Sequence, residues 1–289
     1  MFTPQEVSEL LAEMTVVGKK QVNKVYDPAC GSGGLLLKFA KILGKENVRE
    51  GFFGQEINLT TYNLARINMF LHNINYNNFS IERGDTLIHP AHWNDEPFDA
   101  IVSNPPYSIK WAGKENPILI NDERFAPAGV LAPTSKADLA FTMHMLSWLS
   151  PKGTAAIVEF PGVLYRGGAE QKIRQYMIDN NFVDAVIQLP INLFFGTTIG
   201  TCILVLKKNK TDNNILFIDA SNEYENVSNK NKLSEKNINN IINIIKGRKT
   251  LDTKSYLATY DEIKDNDYDL SIGSYIRNDI EEKIIDIDD

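Results

Sequence analysis

One stiff turn carries an amide side chain, a carbonyl acceptor and an aromatic ring. Its four consecutive residues are Asn104, Pro105, Pro106 and Tyr107. They follow residues 98–103, an apolar run typical of a buried strand. The carboxyl ends of strands are where open α/β sheets bind their ligands. Two acceptors beside an aromatic ring suit a planar ligand with an exocyclic amine, such as adenine. A proline-rich turn without any chemical role is the simpler alternative.

Three acidic residues precede this turn at regular intervals. Asp27, Glu56 and Asp85 each end or follow a strand-like segment, and positions 27, 56 and 85 are each 29 residues apart. Glu56 is placed to accept hydrogen bonds from both hydroxyls of a ribose, as in dinucleotide-binding folds. Asp85 is placed to accept from an adenine amine. Each acid alone is more often a turn or cap residue, but with Asn104 they predict one site at the edge of a sheet.

Residues 27–34, Asp-Pro-Ala-Cys-Gly-Ser-Gly-Gly, join the first core strand to a helix. Glycines allow a tight turn and a close approach of the backbone to a ligand, and a helix N-terminus offers free N–H groups. The glycine spacing differs from the dinucleotide fingerprint, and there is no Gly-Lys-Ser/Thr of a phosphate loop. Asp27 would repel a pyrophosphate and favour an ammonium group. The loop therefore predicts a cofactor with a cationic end, such as S-adenosylmethionine.

Strand-like and helix-like segments alternate along the chain, which predicts a parallel sheet covered by helices. The predicted strands are 22–26, 51–55, 79–83, 98–103, 154–160, 183–189 and 201–206, and the predicted helices are 2–17, 34–44, 59–73, 137–149 and 169–180. The segment between the last two strands is too short for a parallel crossover, so this pair should be antiparallel. At the first helix, Thr3 is the predicted N-cap.

These patterns predict an α/β, Rossmann-like fold with a seven-stranded, mostly parallel sheet and an antiparallel last strand. Residues 1–208 would form this catalytic domain, and residues 209–289 a small C-terminal appendage that could serve in docking. The appendage contains a further predicted strand at 215–219 and a predicted helix at about 234–247. Residues 108–136 form a long irregular segment directly after the Asn-Pro-Pro-Tyr turn. Because loops of this length are uncommon unless they are functional or mobile, we expect a substrate-side loop or lid.

Composition excludes several classes of protein. The 289 residues, 43% of them hydrophobic, suffice for one large α/β domain with an appendage. There is no apolar run long enough for a membrane span, and neither the two cysteines nor the four histidines have metal-ligand spacing. We therefore expect a cytoplasmic protein without a metal. The net charge of −7 is unfavourable for gripping DNA phosphates alone, so a nucleic-acid substrate would require a partner with basic surface.

With these motifs, the chain resembles the adenine-specific DNA methyltransferases, and most closely the modification (M) subunits of type I restriction–modification systems. The similarity extends over nearly the whole sequence, and Asn-Pro-Pro-Tyr is its most specific part. Other similar segments are Phe-Thr-Pro at 2–4, Gly-Asp-Thr at 84–86, the target-base segment at 189–197 and Asp-Tyr-Asp-Leu at 267–270. We expect the sequence to correspond to the family's catalytic part, without the helical domain that usually precedes Phe-Thr-Pro.

The resemblance implies methyl transfer from S-adenosylmethionine to the N6 amine of a flipped-out adenine in double-stranded DNA. It implies that the tetrapeptide is catalytic together with Phe195, which would close the face of the base opposite Tyr107. Phe194 could take this role instead of Phe195. For both phenylalanines, packing in the core is an equally good explanation. The implied cofactor-binding residues are Phe2, Thr3, Pro4, Gln5, Asp27, Ala29, Gly31, Ser32, Gly33, Gly34, Glu56, Ile57, Asp85, Thr86 and Asn104. The implied partner is a specificity (S) subunit, and a restriction (R) subunit is left open.

Other functions were weighed against this one. A self-sufficient adenine methyltransferase would need no partner, but the sequence contains no evident target-recognition domain. A methyltransferase acting on a protein glutamine also uses Asn-Pro-Pro-Tyr, but the Phe-Thr-Pro opening, residues 194–195 and the appendage argue against it. An RNA methyltransferase is disfavoured to a similar degree. Cytosine-C5 methylation fails because the chain has no Pro-Cys nucleophile. The intact tetrapeptide and acids argue against a scaffold subunit with an inactive site.

Overall fold

The structure is a computed structural model, and it describes residues 3–194 and 198–276. A large sheet with helices on both faces forms its centre. The strands are β1 Val22–Asp27, β2 Val48–Glu56, β3 Phe79–Arg83, β4 Phe98–Ser103, β5 Leu149–Glu159, β6 Val183–Gln188, β7 Cys202–Lys207, β8 Ile215–Asp219, β9 Glu225–Val227, β10 Lys230–Lys232 and β11 Ser255–Ala258. The α-helices are α1 Gln5–Thr15, α2 Gly34–Leu43, α3 Leu59–Leu71, α4 Asp138–Trp148, α5 Ala169–Asp179, α6 Glu235–Gly247 and α7 Tyr260–Asp265.

The strand order of the main sheet is β11-β8-β6-β7-β5-β4-β1-β2-β3 within the described residues. The pairs β2–β3, β1–β2, β1–β4 and β4–β5 are parallel. Strand β7 is antiparallel to both β5 and β6. The predicted fold class is therefore confirmed, including the antiparallel last strand of the predicted seven.

The predicted number of strands was wrong, because the main sheet has nine strands in the part of the chain that the structure describes. Strand β8 pairs in parallel with β6, and β11 pairs antiparallel with β8. Both additions come from the part of the chain that was assigned to an appendage. The sequence pattern revealed β8 as an apolar strand, but a pattern along one strand does not reveal which strand it pairs with. The domain boundary at residue 208 stays a prediction, although the described residues on both sides of it share one sheet.

Apolar residues on both faces of the sheet explain why the helices pack there. Helices α1, α2 and α6 bury residues such as Leu10, Leu36 and Ile241 in one apolar cluster. Helices α4 and α5 bury residues such as Leu146 and Met177 in another. Because parallel sheets are covered on both faces, their strands are apolar throughout rather than alternating. No helix among the described residues is long and apolar enough to cross a membrane.

The start of α1 differs from the prediction. The helix begins at Gln5 with Pro4 as its N-cap, and no side chain caps it. Thr3 does not cap the helix: its hydroxyl oxygen accepts a hydrogen bond from the side chain of Asn104 at 2.9 Å. The local signal for a cap was wrong because a tertiary contact uses the same hydroxyl group.

The sheet also has the topology that creates a ligand crevice. Strand β1 lies between β2, which follows it in the sequence, and β4 on its other side. The order of strands thus reverses at β1, and open α/β sheets bind ligands at the carboxyl ends of the strands beside such a switch point. Asp27, Glu56 and Asn104 end or directly follow β1, β2 and β4.

Candidate active site

A cavity of about 540 Å³ opens at this switch point. Its walls come from the carboxyl ends of four neighbouring strands and from the segment that follows the Asn-Pro-Pro-Tyr turn. The residues that line it are Pro28, Ala29, Gly31, Glu56, Ile57, Asn58, Thr61, Gly84, Asp85, Thr86, Leu87, Asn104, Pro105, Pro106, Tyr107, Ile109, Lys110, Trp111 and Phe141. The volume is within the range of small-molecule and cofactor sites.

Asp27 supports the cavity from behind rather than lining it. Its side chain is buried, and its Oδ1 accepts hydrogen bonds from the backbone N–H of Ala29 and from the hydroxyl of Ser103, both at 3.0 Å. Asp27 thereby ties the end of β1 to the last residue of β4. The pKa of Asp27 is raised to about 7, mainly by burial and also by the charge of Glu56, while the two hydrogen bonds oppose this shift.

The glycines of the loop serve its close packing. Gly33 caps α2 with φ 79°, a conformation that residues with a Cβ rarely adopt. A Cβ at this position would also lie 3.1 Å from the terminal methyl group of Met69 in α3. The backbone can therefore turn from β1 into α2 in the space between the sheet and α3. Gly33 holds the loop, whereas Gly31 is the glycine that lines the cavity.

Glu56 joins two backbone segments at the cavity wall. Its Oε2 accepts a hydrogen bond from the N–H of Gly31 at 2.9 Å, and its Oε1 accepts one from the N–H of Asn58 at 2.8 Å. Asn58 in turn caps α3 by accepting from the backbone N–H groups of Thr60 and Thr61. Each carboxylate oxygen can accept a second hydrogen bond, so Glu56 can bind two hydroxyl groups of a ligand without releasing the loop.

Asp85 and Thr86 form the wall at the end of β3. Asp85 accepts from the N–H of Leu87 through Oδ1 at 2.9 Å, which leaves its carboxylate able to accept from a ligand. The hydroxyl of Thr86 donates to the carbonyl of Pro28 at 2.6 Å. Thr86 thereby joins this wall to the glycine-rich loop, and other atoms of the residue contact the cavity.

Two hydrogen bonds hold the side-chain amide of Asn104 in the Asn-Pro-Pro-Tyr turn. The Asn104 Nδ2 donates to the hydroxyl of Thr3 at 2.9 Å, and the Tyr107 hydroxyl donates to Asn104 Oδ1. Burial raises the pKa of Tyr107 well above its ordinary value, and the charge of buried Glu159 adds to this, so the phenol stays protonated. The amide is fixed at the cavity wall, and Oδ1 keeps one lone pair for a further donor.

The structure brings together most of the predicted residues, but not all of them. The cavity wall contains Ala29, Gly31, Glu56, Ile57, Asp85, Thr86, Asn104, Pro105, Pro106 and Tyr107. Four predicted residues lie in the loop behind the wall rather than in the wall itself: Asp27, Ser32, Gly33 and Gly34. Thr3, Pro4 and Gln5 do not line the cavity either, but Thr3 contacts Asn104. Phe2 and Phe195 lie outside the described residues.

Phe194, the alternative to Phe195, is 2% exposed and belongs to an apolar core cluster. Core packing therefore accounts for Phe194. The assignment of Phe195 to the target base stays a prediction.

Sequence reasoning missed the wall beyond the tetrapeptide. Ile109, Lys110 and Trp111 come from the segment that was predicted to be a substrate-side loop, and Phe141 comes from α4. The position of that segment directly after the tetrapeptide was the available signal. For Phe141 there was no signal, because an aromatic residue in an apolar helix is most often part of the core.

Arg124, in the middle of the same segment, is another unexpected contributor. It is 1% exposed, pairs with Asp122 at 2.7 Å, and donates to the carbonyls of Thr86 and Leu87 at 2.8 Å each. A buried guanidinium that bonds the backbone of a cavity wall fixes that wall. The segment is thus anchored at Arg124, and no pattern along the chain predicts that this charge is buried.

The chain is similar to known proteins over nearly its whole length. The model of the N-6 DNA methylase family matches residues 1–283. The chain is 51% identical to the type I restriction enzyme MpnII methylase subunit of Mycoplasma pneumoniae, over 99% of this chain and 54% of that protein. It is 32% identical to the MjaVII methylase subunit of Methanocaldococcus jannaschii, over 96% of this chain and 49% of that protein.

Among solved structures, the type I restriction-modification system methyltransferase subunit from Streptococcus thermophilus is similar, with a TM-score of 0.91 and 40% identity. The match covers 95% of this chain and 59% of that chain. The chain spans about half the length of the curated relatives it matches.

Proposed function

The chain belongs to the N-6 DNA methylase family, and we propose that it transfers a methyl group from S-adenosylmethionine to the N6 amine of an adenine in DNA. We propose further that it acts as the modification subunit of a type I restriction–modification system. The observation that carries the proposal is that Asn104 and Tyr107 share one cavity wall with Glu56 and Asp85. Groups suited to a target amine thus lie beside groups suited to an adenosine.

The described residues fit the proposed cofactor. Glu56 presents a carboxylate for the two ribose hydroxyls, and Asp85 presents one for the adenine amine. The cavity of about 540 Å³ has room for an adenosine with a methionine tail and part of a target base. Asp27 lies behind the loop and accepts from the N–H of Ala29, so it would support the cofactor through the loop that it holds rather than by direct contact with the ammonium group. Bound S-adenosylmethionine supplies an electrophilic methyl group.

The chain's own residues prepare the nucleophile. The amine of adenine is a weak nucleophile because its lone pair is delocalised into the purine ring. Asn104 Oδ1 and the carbonyl of Pro105 would each accept one of its hydrogens, which reduces this delocalisation and directs the lone pair towards the methyl group. Positioning and hydrogen bonding then carry the catalysis, without a covalent intermediate. As the new N–C bond forms, the S–CH₃ bond breaks, and the methylated amine releases one of its hydrogens as a proton. Thr3 and Tyr107 hold the amide in place for this role.

The target adenine must leave the duplex to reach the cavity, at a cost of a few kcal/mol. Stacking on Tyr107, and on Phe195 from the other face, would return roughly 1–3 kcal/mol per base. The remaining free energy must come from contacts with the DNA backbone, which a chain of net charge −7 is poorly suited to make. We therefore propose that a specificity subunit supplies DNA recognition, and that a restriction subunit can join the complex.

Partner dependence gives the test of this proposal. The purified chain should bind S-adenosylmethionine in calorimetry but should not methylate DNA specifically at about 0.15 M salt. Adding the specificity subunit from the same system should give methylation at one motif. The Asn104→Ala variant in the same complex is the control, because it should bind cofactor and DNA yet transfer no methyl group. Efficient methylation of one motif by the isolated chain would instead identify a self-sufficient methyltransferase.

A further inference from the structure

A second cavity, of about 390 Å³, lies at the other end of the sheet. It is formed by α1, the start of β5, the end of β7 and the C-terminal turn of α6. Thr154 of β5 lines it, whereas Glu159 ends the same strand on the side of the first cavity. At about 3.3 Å per residue, these two positions are roughly 17 Å apart. The second cavity is therefore separate from the candidate active site.

The charge of this cavity is opposite to that of the chain. Five cationic side chains line it, and the one carboxylate among the lining residues is that of Asp184. The net charge of the whole chain is −7. Asp184 pairs with Arg248 at 2.7 Å and with Lys207 at 2.8 Å, so its single negative charge is shared by two cations. The lining therefore has more positive than negative charge, and the nearby carboxylates of Asp99 and Glu13, outside the lining, offset part of the charge of Lys19 and Lys246.

Three lysines that do not pair with Asp184 account for most of this excess. Lys19 donates to the carbonyl of Lys152 at 3.1 Å, and burial lowers its pKa, with the positive charge of Lys207 lowering it further against the opposing effect of Asp99. The ammonium groups of Lys152 and Lys246 have no hydrogen bond or ion pair among residues 3–194 and 198–276, and both residues are exposed at the rim. An anion in the cavity would relieve the mutual repulsion of these charges.

We propose that this cavity binds a small phosphate-bearing ligand. Several phosphate groups suit it because the cations Lys19, Lys152 and Lys246 surround one concave space and Lys is a common phosphate ligand. The apolar wall of the cavity, formed by the lining residues Met14, Val17 and Ile245, suits the ring of a nucleotide. A nucleoside triphosphate and an inorganic polyphosphate share the anionic chemistry and differ in their use of this apolar wall.

The test is calorimetric titration of the full chain with tripolyphosphate and with ATP at about 0.15 M salt. The variant is Lys152→Glu with Lys246→Glu, and the matched control is Lys232→Glu with Lys236→Glu, which makes the same change in net charge at exposed positions outside the cavity. We expect tripolyphosphate to bind, with affinity at least tenfold lower in the Lys152/Lys246 variant and unchanged in the control.

Each further result has a defined meaning. If ATP binds more tightly than tripolyphosphate and is equally sensitive to the Lys152/Lys246 variant, the nucleotide ring contacts the apolar wall. If the two affinities are equal, the cavity binds only the phosphate groups. Failure of tripolyphosphate to bind overturns the proposal, and so does an equal loss in the control variant. If a short DNA duplex binds through the same two lysines while tripolyphosphate does not, the ligand is the DNA backbone. Titration with S-adenosylmethionine separates this outcome from the proposed function, because both double variants should keep that affinity.

Discussion

Replacing Glu56 with Gln should weaken S-adenosylmethionine binding without collapsing the loop. The carboxylate accepts from Gly31 and from Asn58, one hydrogen bond per oxygen. Gln keeps the shape and one acceptor oxygen, but it sets an NH₂ group against the other N–H and cannot accept from both ribose hydroxyls. A hydrogen bond to a charged group contributes about 1.5–3 kcal/mol. Loss of one such bond to the ligand corresponds to a dissociation constant roughly 10- to 150-fold higher.

The assay is isothermal titration of the purified chain with S-adenosylmethionine, paired with thermal unfolding. Loss of one of the two backbone contacts should lower the Tm by only a few degrees, about 2–4 °C, so the variant stays folded at the temperature of the titration. Glu50→Gln is the control, since Glu50 lies in the same strand, is exposed, and contacts Lys24 at 3.6 Å. Unchanged affinity in Glu56→Gln, or an equal loss in Glu50→Gln, would refute the role of Glu56.

Three further predictions concern catalysis and pH. Asn104→Ala should abolish methyl transfer in the complex while cofactor affinity, measured by calorimetry, stays largely intact; residual activity near that of the wild type would remove Asn104 from the mechanism. Tyr107→Phe should lower the methylation rate mildly, because stacking survives and Thr3 still holds the Asn104 amide, and Tyr107→Ala severely; an equal loss would show that the hydroxyl bonded to Asn104 carries the whole effect and that the stacking role is wrong. Because burial raises the pKa of Asp27 from 3.8 to about 7, the folded state retains a proton in this range that the unfolded state has released. Stability contributed through Asp27 should therefore fall as pH rises from about 4 to 7, by up to roughly 1.4 kcal/mol per pH unit, and denaturant unfolding of Asp27→Asn should lack this slope; equal slopes in both proteins would contradict the shift.

The candidate site could be predicted largely because it depends on strand ends. Glu56, Asp85 and Asn104 follow apolar runs whose direction and order the sequence reveals, and parallel strands bring their carboxyl ends to one edge. The glycine-rich loop was equally visible, since its composition has a conformational cause. What these predictions share is that they need only local patterns and the chain order of a parallel sheet.

The features that were missed depend on contacts between distant residues. The bond between Thr3 and Asn104 joins positions 101 residues apart, and it replaced the predicted helix cap. A charged residue in an irregular segment is usually exposed, yet Arg124 is buried and donates to backbone carbonyls of the cavity wall. Strand β8 was recognised, but its pairing with β6 was not. Packing decides such contacts, and no periodicity along the sequence encodes them.

Mass spectrometry of the methylated product tests directly whether the chain methylates the N6 amine of adenine in DNA. DNA treated with the chain, its specificity subunit and isotopically labelled S-adenosylmethionine is digested to nucleosides and analysed by mass spectrometry. We expect label in N6-methyl-2′-deoxyadenosine, and none when the complex carries Asn104→Ala. Label in a protein glutamine, in RNA or in another base, or label that persists in Asn104→Ala, would contradict the account.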